Sequence, residues 1–313
     1  MSDSSLAFVF PGQGSQKIGM LADLAEQNAI ILETFAEASG VLGYDLWKLV
    51  QEGTQEDINL TERTQPLLLT ASVALWRLWQ QKQGAMPAYF AGHSLGEWSA
   101  LVCADVVAFT DAVKLVQQRG AFMQAAVPAG KGAMAAIIGL DDALIVNACA
   151  QASSAGVVSA VNFNSPGQVV IAGEAEAVEA AMALCKEAGA KRALPLPVSA
   201  PFHTSLMQPA ADKLAAFIMA TTFSAPTIPV VHNVNAKTEL DPEKIKQLMI
   251  EQICSPVLWV DCVNSLAALG ATHLVECGPG AVLAGLAKRI DKSLTAVTTG
   301  SVDEFEKAIA EHA

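Results

Sequence analysis

The sequence predicts an α/β protein, in which a large domain with a central, mostly parallel sheet carries an inserted small subdomain. Three observations support this fold class. Apolar segments of strand length alternate with amphipathic helices, the middle of the chain has its own order of strands and helices, and one strand enters a helix through a tight glycine-bounded turn. With 313 residues, 52% of them hydrophobic and 16% charged, the chain can bury a large core.

The first part of the large domain contains regularly spaced helices and strands. Its predicted elements are strand Leu6–Phe10, the loop Pro11–Gln16, helices around 29–39 and 66–81, a strand before Gly92 and a helix from Glu97 to about Ala104. Thr110 is a typical N-cap, so the next helix is expected to span Asp111–Gln124. Arg119 falls on the apolar face of that helix.

Residues 127–197 have a different texture and are expected to form the small subdomain. Their predicted elements are strand Met134–Ile138, helix Asp141–Ala152, strand Val157–Val161, a turn at Asn164–Gly167, strand Gln168–Ile171, helix Glu174–Gly189 and strand Ala193–Leu196. This βαββαβ order is the ferredoxin-like arrangement. Residues 1–126 and 198–313 are then the large domain, with an active site in the crevice between the two parts.

The chain returns to the large domain after residue 197. Its last predicted elements are strand Ile228–Val231, helices near 242–253 and 256–269, strand His273–Glu276 and a helix over 280–290. Strands that alternate with helices in this way indicate a parallel sheet with helices on its faces.

Charge and composition restrict the classes of partner. The net charge of −12 and the pI of about 4.8 argue against binding nucleic acid or an anionic membrane through a broad basic face. The apolar run Leu6–Phe10 is too short for a signal sequence, and no apolar stretch reaches the roughly 18 residues of a membrane span, so we expect a cytoplasmic protein. The six cysteines are scattered without a Cys-x-x-Cys pair, and neither disulfides, a metal site nor a bound cofactor is expected.

The segment Gly92-His93-Ser94-Leu95-Gly96, between an apolar strand and a helix, has the pattern of a nucleophile elbow. The turn is so tight that Cβ atoms at positions 92 and 96 would collide with neighbouring backbone. Ser94 is thereby held at the helix N-terminus, where unpaired amides, beginning with that of Leu95, can receive an oxyanion during acyl transfer. A serine in an ordinary strand-to-helix turn is the alternative, and the flanking strand and helix favour the catalytic interpretation.

A catalytic serine needs a base, and the chain has five histidines. His312 lies in the expected C-terminal tail, His273 begins a buried strand, and the side chain of His93 is expected to point away from the nucleophile and to pack. His203 follows an irregular proline-rich stretch where the chain re-enters the large domain, and loops carry catalytic groups disproportionately. Spacing alone favours His203 only slightly over His232.

Two further features have both a structural and a catalytic interpretation. Arg119 needs a partner for its charge, and the residues alone favour a buried salt bridge over a substrate carboxylate held bidentately. The loop Gly12–Lys17 lacks the third glycine of a dinucleotide fingerprint and the Gly-Lys-Ser/Thr of a phosphate loop. This loop is either a plain strand-to-helix turn or the source of a second oxyanion-hole amide.

Six motifs occur in order along nearly the whole chain. They are Phe10-Pro11-Gly12-Gln13-Gly14-Ser15-Gln16, Thr64-Gln65-Pro66, Gly92-His93-Ser94-Leu95-Gly96-Glu97, Gln118-Arg119-Gly120, Asn162-Phe163-Asn164-Ser165-Pro166-Gly167-Gln168 and Glu276-Cys277-Gly278-Pro279-Gly280. Together they resemble the malonyl-CoA:acyl carrier protein transacylases of bacterial fatty-acid synthesis. The resemblance implies a hydrolase-like large domain and ping-pong transfer of a malonyl group from malonyl-CoA to the phosphopantetheine thiol of acyl carrier protein.

The resemblance also implies a role for individual residues. Ser94 would be the nucleophile and His203 the general base that then acts as acid. The amides of Gln13 and Leu95 would form the oxyanion hole, Arg119 and Phe202 would contact the substrate, and the main-chain carbonyl of Gln252 would orient the base. Arg119 would hold the malonyl carboxylate and Phe202 would crowd the substrate α-carbon. The carbonyl of Gln252 would explain why no Asp stands out as the orienting group.

Two positions depart from the family pattern. Trp98 stands where Tyr is frequent and His232 where Asn or Ser is frequent, which bears on the shape of the pocket rather than on the catalytic groups. Three rival interpretations remain open: a stand-alone acyltransferase serving a polyketide or polyunsaturated-lipid synthase, a serine hydrolase that uses water as acceptor, and a non-catalytic interaction module.

Docking of a carrier protein poses an electrostatic problem, because both proteins are expected to be acidic. Association then needs a local basic patch beside the active-site entrance. The candidate residues are Lys191, Arg192, Lys288 and Arg289. The alternative is that both basic pairs cap helix ends or stay solvated, as most surface charges do.

Overall fold

The structure, a computed structural model, describes residues 2–198 and 200–312. Within these ranges the strands are β1 (Ser2–Phe10), β2 (Met86–Gly92), β3 (Gly132–Ile138), β4 (Val158–Ser165), β5 (Gln168–Glu174), β6 (Arg192–Pro195), β7 (Val230–Val231), β8 (His273–Glu276) and β9 (Thr295–Thr298). The α-helices are α1 (Ala22–Gln27), α2 (Ala29–Leu42), α3 (Leu46–Glu52), α4 (Gln55–Asn59), α5 (Thr61–Gln81), α6 (Leu95–Cys103), α7 (Phe109–Ala125), α8 (Asp142–Ala152), α9 (Ala175–Glu187), α10 (Gln208–Ala220), α11 (Pro242–Glu251), α12 (Trp259–Ala268), α13 (Val282–Ile290) and α14 (Val302–Glu311).

The large sheet has the strand order β7-β2-β1-β8-β9, and all of its pairs are parallel. Successive side chains of β1 enter two different cores, as expected for a strand covered by helices on both faces. Phe8 and Phe10 join the core with α2, α5 and α6, whereas Ala7 and Val9 join the core with α12 and α13. The predicted parallel sheet is therefore confirmed.

The small sheet is antiparallel, with the strand order β4-β5-β3-β6. Its elements follow one another as β3, α8, β4, β5, α9 and β6, so the predicted βαββαβ order is confirmed. Ile137 and Ile171 lie in a separate core with α8 and α9, whereas Met134 and Val170 lie in the main core of the large sheet. The division of the chain at residues 127 and 197 stays a prediction, which this separate core supports.

Helices α5, α6 and α7 begin earlier than the sequence predicts. Helix α7 starts at Phe109 after Ala108, with no side-chain cap, so the prediction of Thr110 as its N-cap is wrong. Burial of the Phe109 ring beneath the Arg77 guanidinium, 4.9 Å from the ring centroid, adds packing to this first turn. Helix α5 runs through Pro66 from Thr61, because packing of its buried residues outweighs the break that proline usually causes.

The sequence predicts no membrane span, no metal site and no disulfide, and the structure describes the residues concerned. Among residues 2–198 and 200–312, no helix is both long and apolar enough to cross a membrane, and no cluster of His, Cys, Asp and Glu is placed to hold a metal ion. The cysteines are free thiols, all buried except the half-buried Cys254. Burial raises the pKa of Cys254 to about 11, so its thiol is a weak nucleophile at neutral pH.

Candidate active site

The elbow places Ser94 between β2 and α6. An added Cβ at Gly92 would collide with the backbone of Gly96, and one at Gly96 would collide with the carbonyl of Phe10, so both positions require glycine. Ser94 has a φ of 52°, a left-handed conformation that is costly for a residue with a Cβ. Its amide donates to Asn233 Oδ1 at 2.7 Å, a bond that holds the turn in this conformation.

Ser94 contacts a histidine that is held by a main-chain carbonyl. The Oγ of Ser94 lies 2.7 Å from His203 Nε2, and His203 Nδ1 lies 2.9 Å from the carbonyl oxygen of Gln252. Because a carbonyl oxygen only accepts, Nδ1 carries the proton and Nε2 is free to accept from the serine hydroxyl. Burial, together with the nearby charge of Arg119, lowers the pKa of His203 to about 3, so the imidazole is neutral at pH 7.

Arg119 reaches the same hydroxyl from α7. Its Nη2 donates to Gln252 Oε1 at 2.9 Å and to Ser94 Oγ at 3.3 Å, and its Nη1 donates to Gln65 Oε1 at 2.9 Å. In the part of the chain that the structure describes, no acidic side chain forms an ion pair with it, so the buried salt bridge favoured by the residues alone is wrong. Burial lowers the pKa of Arg119 to about 10, which leaves the guanidinium charged at neutral pH.

Two backbone amides near Ser94 have no acceptor in residues 2–198 and 200–312. Leu95 is the first residue of α6, and Gln13 lies in the loop after β1; both line the same cavity as Ser94. Among the described residues, neither amide donates a hydrogen bond. An added Cβ at Gly12 would lie 2.5 Å from the carbonyl oxygen of His93, so glycine lets this loop approach the elbow closely.

The cavity at Ser94 has a volume of about 130 Å³, room for a short acyl group rather than a long chain. Its remaining walls are mostly apolar and come from both parts of the chain. They are formed by Met123, Met134, Leu196, Val198 and Phe202. Asn162 also lines the cavity, and its buried Oδ1 has no partner among the described residues, so this amide can hydrogen-bond a bound molecule.

The other histidines differ in part from expectation. His93 packs against Trp259 with ring centroids 5.5 Å apart. The expectation that it packs is therefore confirmed. His93 also lines the cavity, and its Nε2 lies 2.8 Å from Oδ1 of Asn164 in β4 of the small subdomain. His312 ends α14 with its ring centroid 5.4 Å from that of His273, and therefore belongs to a packed helix end rather than to a tail.

The two departures from the family pattern, Trp98 and His232, do not line the cavity. Trp98 packs edge-on against Phe223, and His232 Nδ1 lies 2.6 Å from Glu97 Oε1. Both side chains are fully buried, because α6 and the end of β7 direct them into the interior of the large domain. Their influence on the shape of the pocket stays a prediction.

Several polar residues of the site were not assigned a role from the sequence. They are Gln65, Glu97, Asn162, Asn164 and Asn233. The first four lie inside motifs that carry the family resemblance, and membership of these motifs is the signal that could have marked them as site residues. Asn233 stands next to His232 in a short strand-end segment without such a signal.

The four candidate docking residues, Lys191, Arg192, Lys288 and Arg289, are all exposed. Arg289 Nη1 donates to Gln168 Oε1 at 2.8 Å, and Gln168 and Arg192 are both paired with Ile138 of β3. Since neighbouring strands lie about 5 Å apart, the tertiary structure brings both basic pairs to one end of the small sheet.

The fold and the site together are those of an acyltransferase, and residues 7–306 match the model of the family described as "Acyl transferase domain". A malonyl CoA-acyl carrier protein transacylase of Salmonella typhimurium is 62% identical over 293 residues, which cover 94% of this chain and 95% of the relative. The crystal structure of an acyl carrier protein S-malonyltransferase from Vibrio cholerae is 61% identical and covers 97% of this chain and 99% of its own, with a TM-score of 0.95.

A third similar structure is a malonyl-transacylase in complex with its type II PKS acyl-carrier protein. It is 54% identical and covers 98% of this chain and 100% of its own, with a TM-score of 0.97. The chain therefore belongs to the family of malonyl CoA-acyl carrier protein transacylases.

Proposed function

We propose that this protein transfers the malonyl group of malonyl-CoA to the phosphopantetheine thiol of acyl carrier protein through an ester on Ser94, and so supplies fatty-acid elongation in the cytoplasm. One observation carries this proposal. Arg119 is 2% exposed, and among the described residues its guanidinium hydrogen-bonds only neutral groups, one of which is Ser94 Oγ at 3.3 Å. A buried charge without a counter-ion is costly, and the free carboxylate of a malonyl thioester would supply that counter-ion.

In the first half-reaction, Ser94 Oγ attacks the thioester carbonyl while its proton moves to His203 Nε2, 2.7 Å away. The oxyanion that forms is stabilised by the free amides of Leu95 and Gln13. The carbonyl of Gln252 keeps the proton of His203 on Nδ1 and stabilises the imidazolium. When the intermediate collapses, the C–S bond breaks and His203 returns the proton to the sulfur of CoA.

The second half-reaction reverses these steps. The phosphopantetheine thiol gives its proton to His203 and attacks the malonyl ester, and Ser94 leaves with that proton. Phe202 lines the cavity and is the proposed wall against the substrate α-carbon, so it would disfavour acyl groups with a branch at that carbon.

The acceptor is the point on which rival functions differ. A serine hydrolase would use the same elbow with water as the acceptor. An acyl substrate without a carboxylate would, however, leave the charge of Arg119 without a counter-ion. The complex of a similar malonyl-transacylase with a type II PKS acyl-carrier protein favours a second candidate, in which a polyketide-synthase carrier protein is the acceptor. Transfer rates to the two classes of carrier protein compare these candidates directly.

Intact-mass measurements test the proposal. Wild-type protein mixed with malonyl-CoA should gain one malonyl group, lose it when holo acyl carrier protein is added, and pass it to that carrier. Ser94→Ala should gain none. Ser99→Ala removes a buried hydroxyl of α6 that has no partner among the described residues, and this variant should behave like wild type. A malonyl adduct on another residue of Ser94→Ala would contradict the nucleophile assignment, and release of free malonate without any carrier would support a hydrolase.

A further inference from the structure

A second group of polar side chains lies outside the cavity wall, in the interior of the large domain. Glu97, His232, Asn233 and Gln252, here called the Glu97 cluster, are each 0% exposed. Glu97 is the third residue of α6, where a carboxylate is favoured by the helix dipole. In a capping box this side chain would bond the amide of the N-cap residue, Ser94. Here Asn233 Oδ1 takes that amide, which leaves the carboxylate for other donors.

The carboxylate of Glu97 accepts three hydrogen bonds from the rest of the cluster. Oε1 accepts from His232 Nδ1 at 2.6 Å. Oε2 accepts from the backbone amide of Asn233 at 3.1 Å and from Gln252 Nε2 at 2.7 Å. Charge-assisted bonds of this kind are stronger and more directional than neutral ones. The side chain of Gln252 is thereby fixed in both position and amide orientation.

Gln252 is the member of the cluster that hydrogen-bonds Arg119, Ser94 and His203. Its Oε1 accepts from Arg119 Nη2 at 2.9 Å, its Nε2 donates to the carbonyl of Ser94 at 3.0 Å, and its main-chain carbonyl accepts from His203 Nδ1 at 2.9 Å. Because Nε2 faces Glu97, Oε1 must face Arg119. A rotated amide would turn a donor toward the guanidinium.

We propose that Glu97 is a positioning residue: through its bond to Gln252 it sets the orientation of the Arg119 guanidinium and of the His203 imidazole before malonyl-CoA binds. Burial lowers the pKa of Arg119, and the negative charge of Glu97 acts in the opposite direction and raises this pKa. This inference rests on the proposed malonyl transfer, since the carboxylate that Arg119 would meet belongs to that substrate.

The test uses Glu97→Ala, Glu97→Gln and the control Ser99→Ala, with single-turnover acylation by malonyl-CoA and by acetyl-CoA. Misplacement of reacting groups by about 1 Å can cost on the order of 100-fold, so Glu97→Ala should slow malonyl transfer by about 30- to 100-fold and lower the malonyl-to-acetyl rate ratio about tenfold. Glu97→Gln should stay within about threefold of wild type. Its amide oxygen can still accept from Gln252, and its NH₂ can donate to His232 Nδ1, because the proton of His232 can move to Nε2, which has no partner among the described residues.

A double-mutant comparison separates positioning from folding. In a Gln252→Ala background, Glu97→Ala should no longer change the malonyl-to-acetyl ratio, because the connecting side chain is gone. If Glu97→Ala does not fold, His232→Leu takes its place: it leaves one carboxylate oxygen unpaired and should lower the ratio about threefold, whereas His232→Asn, which keeps a donor, should restore it.

Three results would overturn the inference: a folded Glu97→Ala with wild-type rates and ratio, an equal loss for both substrates that persists without the Gln252 side chain, or a Glu97→Gln variant as slow as Glu97→Ala. Failure of wild-type protein to form any malonyl adduct is a different result. It would contradict the proposed function itself.

Discussion

The two sheets of this protein contribute in different ways to one cavity. The large sheet is parallel and covered on both faces, and residues that follow its strands converge at one edge: Gln13 after β1, Ser94 after β2 and Asn233 after β7. The small sheet is antiparallel, with one face on its own helices and the other on the main core. It supplies walls such as Met134 and Asn162, and no group of it hydrogen-bonds Ser94 Oγ among the described residues.

The difference follows from strand geometry. Parallel strands end at a common edge, where short loops can bring several polar groups within hydrogen-bond distance of one atom. An antiparallel sheet spreads its loops over both ends, so it more readily provides a surface and a wall. We therefore expect changes in the large domain to alter the chemical step and the recognition of the acyl group, and changes in the small subdomain to alter binding more than the chemical step.

The largest expected effect is in the large domain, at His203. His203→Ala should leave the fold intact and slow acylation by about 10²- to 10⁴-fold, because Ser94 then has no base at neutral pH. Stopped-flow acylation by malonyl-CoA measures the rate. His273→Ala, at a partly exposed histidine away from the cavity, is the matched control and should match wild type. If His232→Ala instead abolishes acylation through loss of proton transfer while His203→Ala stays active, His232 rather than His203 is the general base.

Arg119 should affect one substrate far more than another. Arg119→Ala removes a desolvated, charge-assisted partner for the malonyl carboxylate, which costs about 2–4 kcal/mol or roughly 30- to 1000-fold in malonyl transfer. Acetyl transfer should change much less, since acetyl-CoA has no free carboxylate. Equal losses with malonyl-CoA and acetyl-CoA would show that Arg119 has only a structural role.

The contribution of the small subdomain to binding is tested at the end of the small sheet where the four basic residues lie. Reversing Lys191, Arg192, Lys288 and Arg289 to Glu should raise KM for carrier protein several-fold, and KM should no longer rise with salt, because local attraction to an acidic partner is replaced by repulsion. Malonyl loading from CoA should change much less. Lys48→Glu with Lys307→Glu, at two exposed residues in weak surface pairs, controls for half of this change in net charge. Unchanged transfer in the fourfold variant would place docking elsewhere.

The smallest expected effect is on pH dependence. Because burial holds the pKa of His203 at about 3, well below the ordinary value of 6.5, the base stays neutral as the pH falls toward 5. Acylation by malonyl-N-acetylcysteamine, which lacks the titrating phosphates of CoA, should therefore be flat between about pH 5 and 7. An inflection near pH 6.5 would show that the imidazole is better solvated than its burial indicates.

The sequence by itself determined the features that depend on neighbouring residues. The elbow could be predicted because backbone collisions at Gly92 and Gly96 are local, and the βαββαβ order because each element has its own apolar period. The beginning of α7 was mispredicted for the opposite reason, since packing of Phe109 against Arg77 overrode the capping preference of Thr110.

Only the tertiary structure decided which distant polar groups meet. His203 contacts Ser94 across 109 positions of chain, and Gln252 contacts Glu97 across 155. Spacing alone left His203 and His232 nearly equal. The position of Arg119 on an apolar helix face favoured a salt bridge that does not form among the described residues. The reason is physical: a hydrogen bond extends about 3 Å, whereas the periodic patterns of a sequence specify faces of helices and strands and not which loops share an edge.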